Sequence, residues 1–247
     1  MNERLNPTHM LMGFVPESAP PAPEPGQFFM VGLPGGETFE PLLKRPFCFL
    51  SAMGDTLHMV YRVKGKGTRA LARLEPGDRV DVIGPLGNSW PAPRKGLHPV
   101  IVAGGIGVAS VYPLIERLDG ACTVVFGACT EDELLLKKGI EATGAKLHLA
   151  TDDGTCGIGG TVIDVLNRLE LEPGKTALYA CGPTGMLMGL KLWAGERGLA
   201  EAYASLEEHM ACGVGACMGC VVKTTTGYRR VCKDGPIFRL SDVEFAR

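Results

Sequence analysis

The sequence predicts two folded units in series, a small antiparallel β-barrel and then a parallel α/β domain, followed by a short cysteine-rich segment. Three observations carry this. Short β-patterned stretches divided by turn signals fill the first part of the chain. Strand and helix patterns alternate through the middle. Four of the nine cysteines fall within residues 212–232.

The 247 residues suffice for two small domains and an appendage, with divisions expected at 1–95, 96–204 and 205–247. With 45% hydrophobic residues, 21% charged residues and a net charge of −2, the composition is that of a globular protein. It offers no polybasic patch for nucleic acid and no acidic tail. The longest apolar runs, such as 100–108, fall far short of the ~20 residues a membrane span needs. The N-terminus carries both charge signs and no continuous apolar segment of signal type, so the expected location is the cytoplasm. Structural disulfides are uncommon there, and clustered cysteines point to metal or redox chemistry.

In the first unit, strands are expected at 27–33 after Pro25-Gly26, at 57–63 after Gly54-Asp55 and at 79–83 after Pro76-Gly77. Residues 68–74 read as a short helix with Thr68 as N-cap, and 18–25 as a proline-rich loop. The N-terminal strand is short for a barrel edge. In the second unit, strands are expected at 99–103, 121–126, 146–150 and 176–180. Helices are expected after Gly104-Gly105-Ile106-Gly107 through Leu118, and at 132–141, 161–168 and 184–197. This alternation predicts a doubly wound sheet whose ligand lies beyond the carboxyl ends of the strands. Residues 205–247 are too few to bury a core alone, and a metal centre would supply the missing stability.

Cys212-x4-Cys217-x2-Cys220, with Cys232 after a gap of eleven residues, has the plant-type spacing of a 2Fe–2S centre. Soft thiolates suit iron, and Gly213, Gly215 and Gly219 remove side-chain bulk so that the chain wraps tightly. Their amides are also placed to donate to sulfur. The alternatives are a zinc site or four unrelated buried thiols. Zinc sites favour two paired C-x2-C units, and this segment has one. Of the five scattered cysteines, Cys122, Cys129, Cys156 and Cys181 are most simply small core residues.

Two nucleotide sites are suggested. Arg45-Pro46-Phe47-Cys48 leads into a strand, and an arginine fork suits a pyrophosphate. Tyr61-Arg62 precedes Gly65-Lys66-Gly67-Thr68, whose amides open a helix toward a phosphate. Each element alone is as well explained by a turn; their order inside one barrel favours a shared role. Gly104, Gly105 and Gly107 stand at the first strand-to-helix turn of the α/β unit, where the choice is tight packing or a pyrophosphate. Cys181-Gly182-Pro183 ends the last predicted strand, with its thiol where a nicotinamide ring is expected. Glu131 and Asp132 follow the second strand with no arginine beside them, which favours NAD over NADP. No acid–base triad is visible. His209, Trp193, Met186 and Met188 are most simply structural.

In this order the motifs resemble the ferredoxin–NADP reductase superfamily, and within it the electron-transfer subunits of two-flavin, NAD-dependent bacterial dihydroorotate dehydrogenase. Pro25-Gly26-Gln27-Phe28, Gly84-Pro85-Leu86-Gly87-Asn88 and Ser205-Leu206-Glu207-Glu208 carry the resemblance. So do the stretch from Met210 to Cys217 and Cys232-Lys233-Asp234-Gly235-Pro236. The resemblance implies FAD held by Arg45, Pro46, Phe47, Cys48, Val60, Tyr61, Arg62, Gly67 and Thr68, with a 2Fe–2S cluster on Cys212, Cys217, Cys220 and Cys232. It implies NAD+ as electron acceptor in pyrimidine biosynthesis. The implied partner is an FMN-containing dihydroorotate dehydrogenase catalytic subunit, two of each forming a heterotetramer. Where such proteins usually place serine or threonine, this chain has Cys48, a weaker donor. The rivals are a subunit of sulfide dehydrogenase or NAD(P)H–ferredoxin transhydrogenase type, and a non-enzymatic redox sensor.

Overall fold

Turn residues cut the first part of the chain into short pieces, and apolar residues on alternate positions give each piece an inward face. The computed structural model describes residues 1–18, 20–34 and 40–245; residue 19 of the proline-rich loop lies outside them. The barrel strands are β1 (Asn2–Arg4), β2 (His9–Phe14), β3 (Phe28–Gly32), β4 (Arg45–Cys48), β5 (Ser51–Met53), β6 (Thr56–Arg62) and β7 (Asp81–Leu86). They pair antiparallel in two sheets, ordered β1-β2-β6-β5 and β4-β3-β7. The sheets close on Met10, Met12, Phe29, Val31, Met59, Tyr61 and Leu71. The edge strand β1 is three residues long, as its short pattern predicts.

Two expectations shift here. The helix α1 (Lys66–Leu71) starts before Thr68, with Gly65 at the N-cap. Thr68 sits inside the first turn, where its Oγ1 accepts from the Lys64 and Gly65 amides at 2.9 and 3.1 Å. That is the backward half of a capping box, which a threonine performs as well as the cap itself. The strand expected at 79–83 runs instead over β7, because Asp78 closes a turn onto Glu75 and delays pairing.

The second unit alternates as expected: β8 (His98–Gly104), α2 (Val108–Leu118), β9 (Thr123–Ala128), α3 (Lys137–Ala142), β10 (Lys146–Thr151), β11 (Ile158–Gly159), α4 (Val162–Leu166), β12 (Thr176–Cys181), α5 (Thr184–Glu196) and β13 (Glu201–Ser205). These strands are parallel, in the order β11-β10-β9-β8-β12-β13. Almost every residue of β8 and β12 is buried, the mark of a sheet covered on both faces. The long helix expected at 132–141 is broken. Leu134 and Leu135 both turn into the core, Leu136 adopts φ +61°, and regular helix resumes only at α3.

The C-terminal segment forms a hairpin, β14 (Val221–Thr224) and β15 (Gly227–Arg230), then α6 (Val231–Asp234) and β16 (Ile237–Arg239). β16 adds antiparallel to β13 and completes a seven-stranded sheet. Cys220, Val231, Cys232, Leu240 and Val243 join the apolar core of that sheet. The segment therefore draws stability from the neighbouring domain as well as from any metal.

The Gly84-Pro85-Leu86-Gly87-Asn88 motif fastens this segment to the barrel. Asn88 Nδ2 donates to the Ile237 carbonyl at 2.9 Å, and the Ile237 amide donates back to Asn88 Oδ1 at 2.9 Å. The Asn88 amide donates to the Gly235 carbonyl at 2.7 Å. Gly87, at φ +76°, leaves no room for a side chain: a Cβ there would lie 2.6 Å from Pro236 Cδ. Substituting Asn88→Ala strands both polar groups of Ile237, and we expect a loss of about 2 kcal/mol of stability. Urea unfolding of the purified chain measures it; an unchanged midpoint would contradict this role for Asn88.

Candidate functional site

Barrel, α/β domain and C-terminal segment meet at a groove of about 410 Å³. The barrel wall presents Pro46, Phe47 and Cys48 from β4 and Val60, Tyr61 and Arg62 from β6. Ile106 and Ala109 form the opposite side, and residues 205–210 with Pro236 close the end. Six of the barrel residues singled out from the sequence thus share one groove. Arg45, Gly67 and Thr68 lie beyond its lining. Arg45 and Gly67 are in contact with each other: a Cβ on Gly67 would lie 2.3 Å from Arg45 Cζ. Glycine is needed there so that the guanidinium can pack on the start of α1.

Tyr61 is almost wholly buried, and its hydroxyl donates inward to Asn2 Oδ1 at 3.0 Å. Burial pushes that hydroxyl up to about 12, so it stays protonated. Phe47 packs against it, ring centroids 5.5 Å apart. Arg62 is exposed and reaches across the seam to Glu133, 3.4 Å away.

On the floor of the groove, burial pushes the Cys48 thiol up to about 12. Cys181, completely buried at the end of β12, is also raised well above the ordinary thiol value by burial. Both stay neutral thiols. Ser110, completely buried in the first turn of α2, neighbours both sulfurs. Glu207 stands over them with access to solvent along the open groove, yet the packing around its carboxyl raises it above the usual carboxylate range. Neither Ser110 nor Glu207 was singled out by the sequence reading. Ser110 sits in a Val-Ala-Ser-Val run that carries no chemical signal, and Glu207 stood out only as part of a motif.

The glycines beyond β8 and β12 divide by role. A Cβ on Gly104 would meet Met186 Sδ at 2.7 Å, one on Gly107 the Cys181 carbonyl oxygen at 2.4 Å, and one on Gly182 Met186 Cε at 2.4 Å. These three let the two strand ends approach each other. Gly105, at φ +50°, has open space where its side chain would be. Pro183 precedes α5 as its N-cap. Beyond β9, Lys137 is the cation beside the expected ribose loop, and it is paired with Glu131 at 3.5 Å.

The four C-terminal cysteines come together in two pairs. The Cys217 amide donates to Cys212 Sγ at 3.4 Å, and the Cys232 amide donates to Cys220 Sγ at 3.4 Å. The Gly219 amide points at Cys217 Sγ at 3.5 Å. Among the described residues, no three His, Cys, Asp or Glu side chains converge on a single ion-sized point. Two such pairs suit a binuclear cluster, each iron of which takes two protein ligands. Gly213 (φ +72°) and Gly215 (φ +81°) make the wrap possible. A Cβ on Gly213 would lie 2.4 Å from Met30 Cγ. Amides of Cys217 and Val214 hold the Cys212 thiol down at about 6, whereas burial and then Cys220 push Cys232 up to about 12. Cys217 is exposed and Cys212 half-buried, while Cys220 and Cys232 are buried, so one pair faces outward and the other inward.

Comparison with known proteins agrees with this geometry. A family model described as the iron-sulfur cluster binding domain of dihydroorotate dehydrogenase B matches residues 207–244. The ferredoxin NADP+ reductase of Neisseria gonorrhoeae, solved with bound FAD and NADP, shares the fold at TM-score 0.61 and 18% identity, over 83% of this chain and 90% of that one. A chain of the NADH-dependent reduced ferredoxin–NADP oxidoreductase structure aligns at TM-score 0.86 and 28% identity, over 99% of this chain and 88% of its own. The architecture is therefore that of the ferredoxin–NADP reductase class of flavoproteins. The Dihydroorotate dehydrogenase B (NAD(+)), electron transfer subunit of Bacillus caldolyticus is 42% identical over 230 residues, 89% of this chain and 86% of that protein. The chain belongs to this family of electron transfer subunits.

The contrast between thiols is directly testable. In metal-free chain, iodoacetamide is expected to modify Cys212 at near-maximal rate at neutral pH, with the rate falling as pH drops through about 6. Cys232 stays unmodified over that range. Peptide mapping after timed alkylation reads both, and equal reactivity would contradict the amide contacts.

Proposed function

We propose that this chain carries electrons from an FMN-containing, dihydroorotate-oxidising catalytic subunit, through a 2Fe–2S cluster and FAD, to NAD+ in pyrimidine biosynthesis. The observation that carries the reading is the pairing of Cys212 with Cys217 and of Cys220 with Cys232, on a segment that also closes the groove. Two of these chains and two catalytic subunits make the assembly, located in the cytoplasm. Among the described residues, no helix is long and apolar enough to cross a membrane. The division into residues 1–95 for FAD, 96–204 for NAD and 205–247 for the cluster follows the same reading.

The groups fit the residues present. A flavin supplies the conversion between a two-electron hydride and single electrons, which a binuclear cluster carries one at a time. Cys212, Cys217, Cys220 and Cys232 would hold the irons, and the amides of Cys217, Gly219 and Cys232 stabilise the negative charge on sulfur. Arg45, with Gly67 and Thr68 beside it, would receive the FAD phosphates, and Arg62 adds a second cation at the groove. Pro46, Phe47, Val60 and Tyr61 provide an apolar wall that excludes water. Cys48 presents a neutral thiol. Gly105 would approach the NAD pyrophosphate, with Gly104, Gly107, Cys181, Gly182 and Pro183 shaping the opening around it. Glu131 and Asp132 after the second strand of the α/β unit would repel a 2′-phosphate, which favours a free ribose 2′-hydroxyl.

One observation favours a second reading, a ferredoxin-linked reductase subunit: the 28%-identical likeness to the NADH-dependent reduced ferredoxin–NADP oxidoreductase chain. Anaerobic copurification separates the two. We expect the chain to bring down an FMN-containing partner and the complex to reduce NAD+ with dihydroorotate. Ferredoxin reduction by the chain without such a partner would favour the second reading. Within the complex, Cys220→Ser is expected to lower dihydroorotate-dependent NAD+ reduction by more than the about 10–100-fold that outer-shell changes cost at metal sites. FAD should remain bound and reducible by NADH; undiminished turnover would contradict the ligand assignment.

A further inference from the structure

Arg230 ends β15 and stands at the N-cap of α6, the short helix that carries Cys232. The next amide, of Val231, donates to the Cys220 carbonyl at 2.9 Å, so the backbone here lies beside both inward cysteines. The Arg230 guanidinium is held on two sides. Nε and Nη2 donate to the two carboxylate oxygens of Asp234 at 3.1 and 3.2 Å, a fork that fixes the plane of the group. The Arg230 amide donates to the same carboxylate at 2.8 Å, which holds Asp234 in turn. The remaining nitrogen, Nη1, donates to the Gly215 carbonyl at 3.1 Å. The side chains of Arg230 and Asp234 are 28% and 27% exposed, so water and salt screen the pair less than at an open surface.

Gly215 lies midway between Cys212 and Cys217, in the loop of the outward pair, whereas Arg230 belongs to the segment of the inward pair. Among the described residues, Arg230 is the one charged side chain hydrogen-bonded to residues 211–219, a stretch with no helix or strand of its own. The Gly215–Ala216 peptide is trans, and the carbonyl and amide of a planar trans peptide point opposite ways. Drawing the Gly215 carbonyl toward Arg230 therefore turns the Ala216 amide away from the guanidinium and sets the plane from which the next peptide starts. That next amide belongs to Cys217, and it donates to Cys212 Sγ at 3.4 Å. Lys233 packs its stem against the same glycine, where a Cβ would lie 2.7 Å from Cδ, and brings a second cation near the loop without a bond to the carbonyl.

We propose that Arg230 is a positioning residue for the metal centre: held by Asp234, its guanidinium fixes the Gly215 carbonyl and so aims the Cys217 amide at Cys212 Sγ, where that amide favours the added negative charge of the reduced centre. Hydrogen bonds to the sulfurs are among the factors that set the potential of an iron–sulfur cluster. The proposal rests on the assignment of the four cysteines to a 2Fe–2S cluster.

The test uses the full chain purified anaerobically with its FAD and metal. Native chain without iron and sulfide overturns the cluster assignment and this proposal with it. With the cluster present, each chain is poised with redox mediators at the potential that half-reduces the native centre. Electron paramagnetic resonance then reads the ratio of reduced to oxidised cluster. Arg230→Met is expected to lower that ratio about threefold or more, and Lys233→Met, which removes a neighbouring charge of the same sign, by less than about 1.5-fold. An unchanged ratio in Arg230→Met overturns the proposal alone. Equal changes in the two variants overturn it as well, because Arg230 would then act through net charge and not through the Gly215 carbonyl. Where Arg230→Met takes up no cluster, the native chain decides. Deuterium exchange read by mass spectrometry is expected to be about tenfold or more slower at the loaded chain's Cys217 amide than at an unprotected amide. Exchange at the unprotected rate overturns the proposal without any variant.

Discussion

The bonds between Asn88 and the backbone of residues 235–237 set where the four cysteines sit relative to the groove. Pro236 lines the groove, Cys232 stands four residues before it, and β16 begins directly after it. One short turn therefore touches the cysteine loop, the groove and the seven-stranded sheet. β13, the partner of β16, runs into residues 205–210, which close the same end of the groove, where the Leu206 amide donates to the Pro236 carbonyl at 2.9 Å. Proteins that pass electrons between centres need those centres at fixed separation. In this chain the cysteine loop is held against the barrel by the hydrogen bonds of Asn88 and by glycines that permit contact, at Gly87 against Pro236 and at Gly213 against Met30.

The same physics sorts the cysteines into two chemical kinds. Amide donors around Cys212 favour the thiolate, the form that binds metal. For Cys48 and Cys181 burial outweighs the donors beside them and keeps both thiols neutral. Cys232 is buried as well and shares a pair with Cys220; burial and that neighbour outweigh the Gly215 amide, so the thiol keeps its proton until a metal displaces it. A metal binding this loop therefore displaces protons.

Much of this was legible in the sequence because it depends on local patterns. The spacing from Cys212 to Cys232 specifies a loop whose backbone has few alternatives, and strand-helix alternation specifies the parallel sheet. Thr68 was misplaced by a few residues because capping signals at positions three apart look alike when the N-cap is glycine. The break at Leu136 was invisible because consecutive leucines are good helix formers, and only the sheet beneath them decides that both Leu134 and Leu135 turn inward. Ser110 and Glu207 come beside the Cys48 and Cys181 thiols only through the fold, and no local pattern encodes that. For the glycines at the ends of β8 and β12 the sequence marks a close approach, and the structure shows that for Gly104, Gly107 and Gly182 the approach is of protein to protein.

Electron paramagnetic resonance on the anaerobically purified chain, reduced by NADH, bears most directly on the two pairs of cysteines. The account predicts one binuclear iron–sulfur signal per chain, with two irons and two sulfides by analysis. Zinc in its place, or a chain with full flavin and no metal at all, would contradict it.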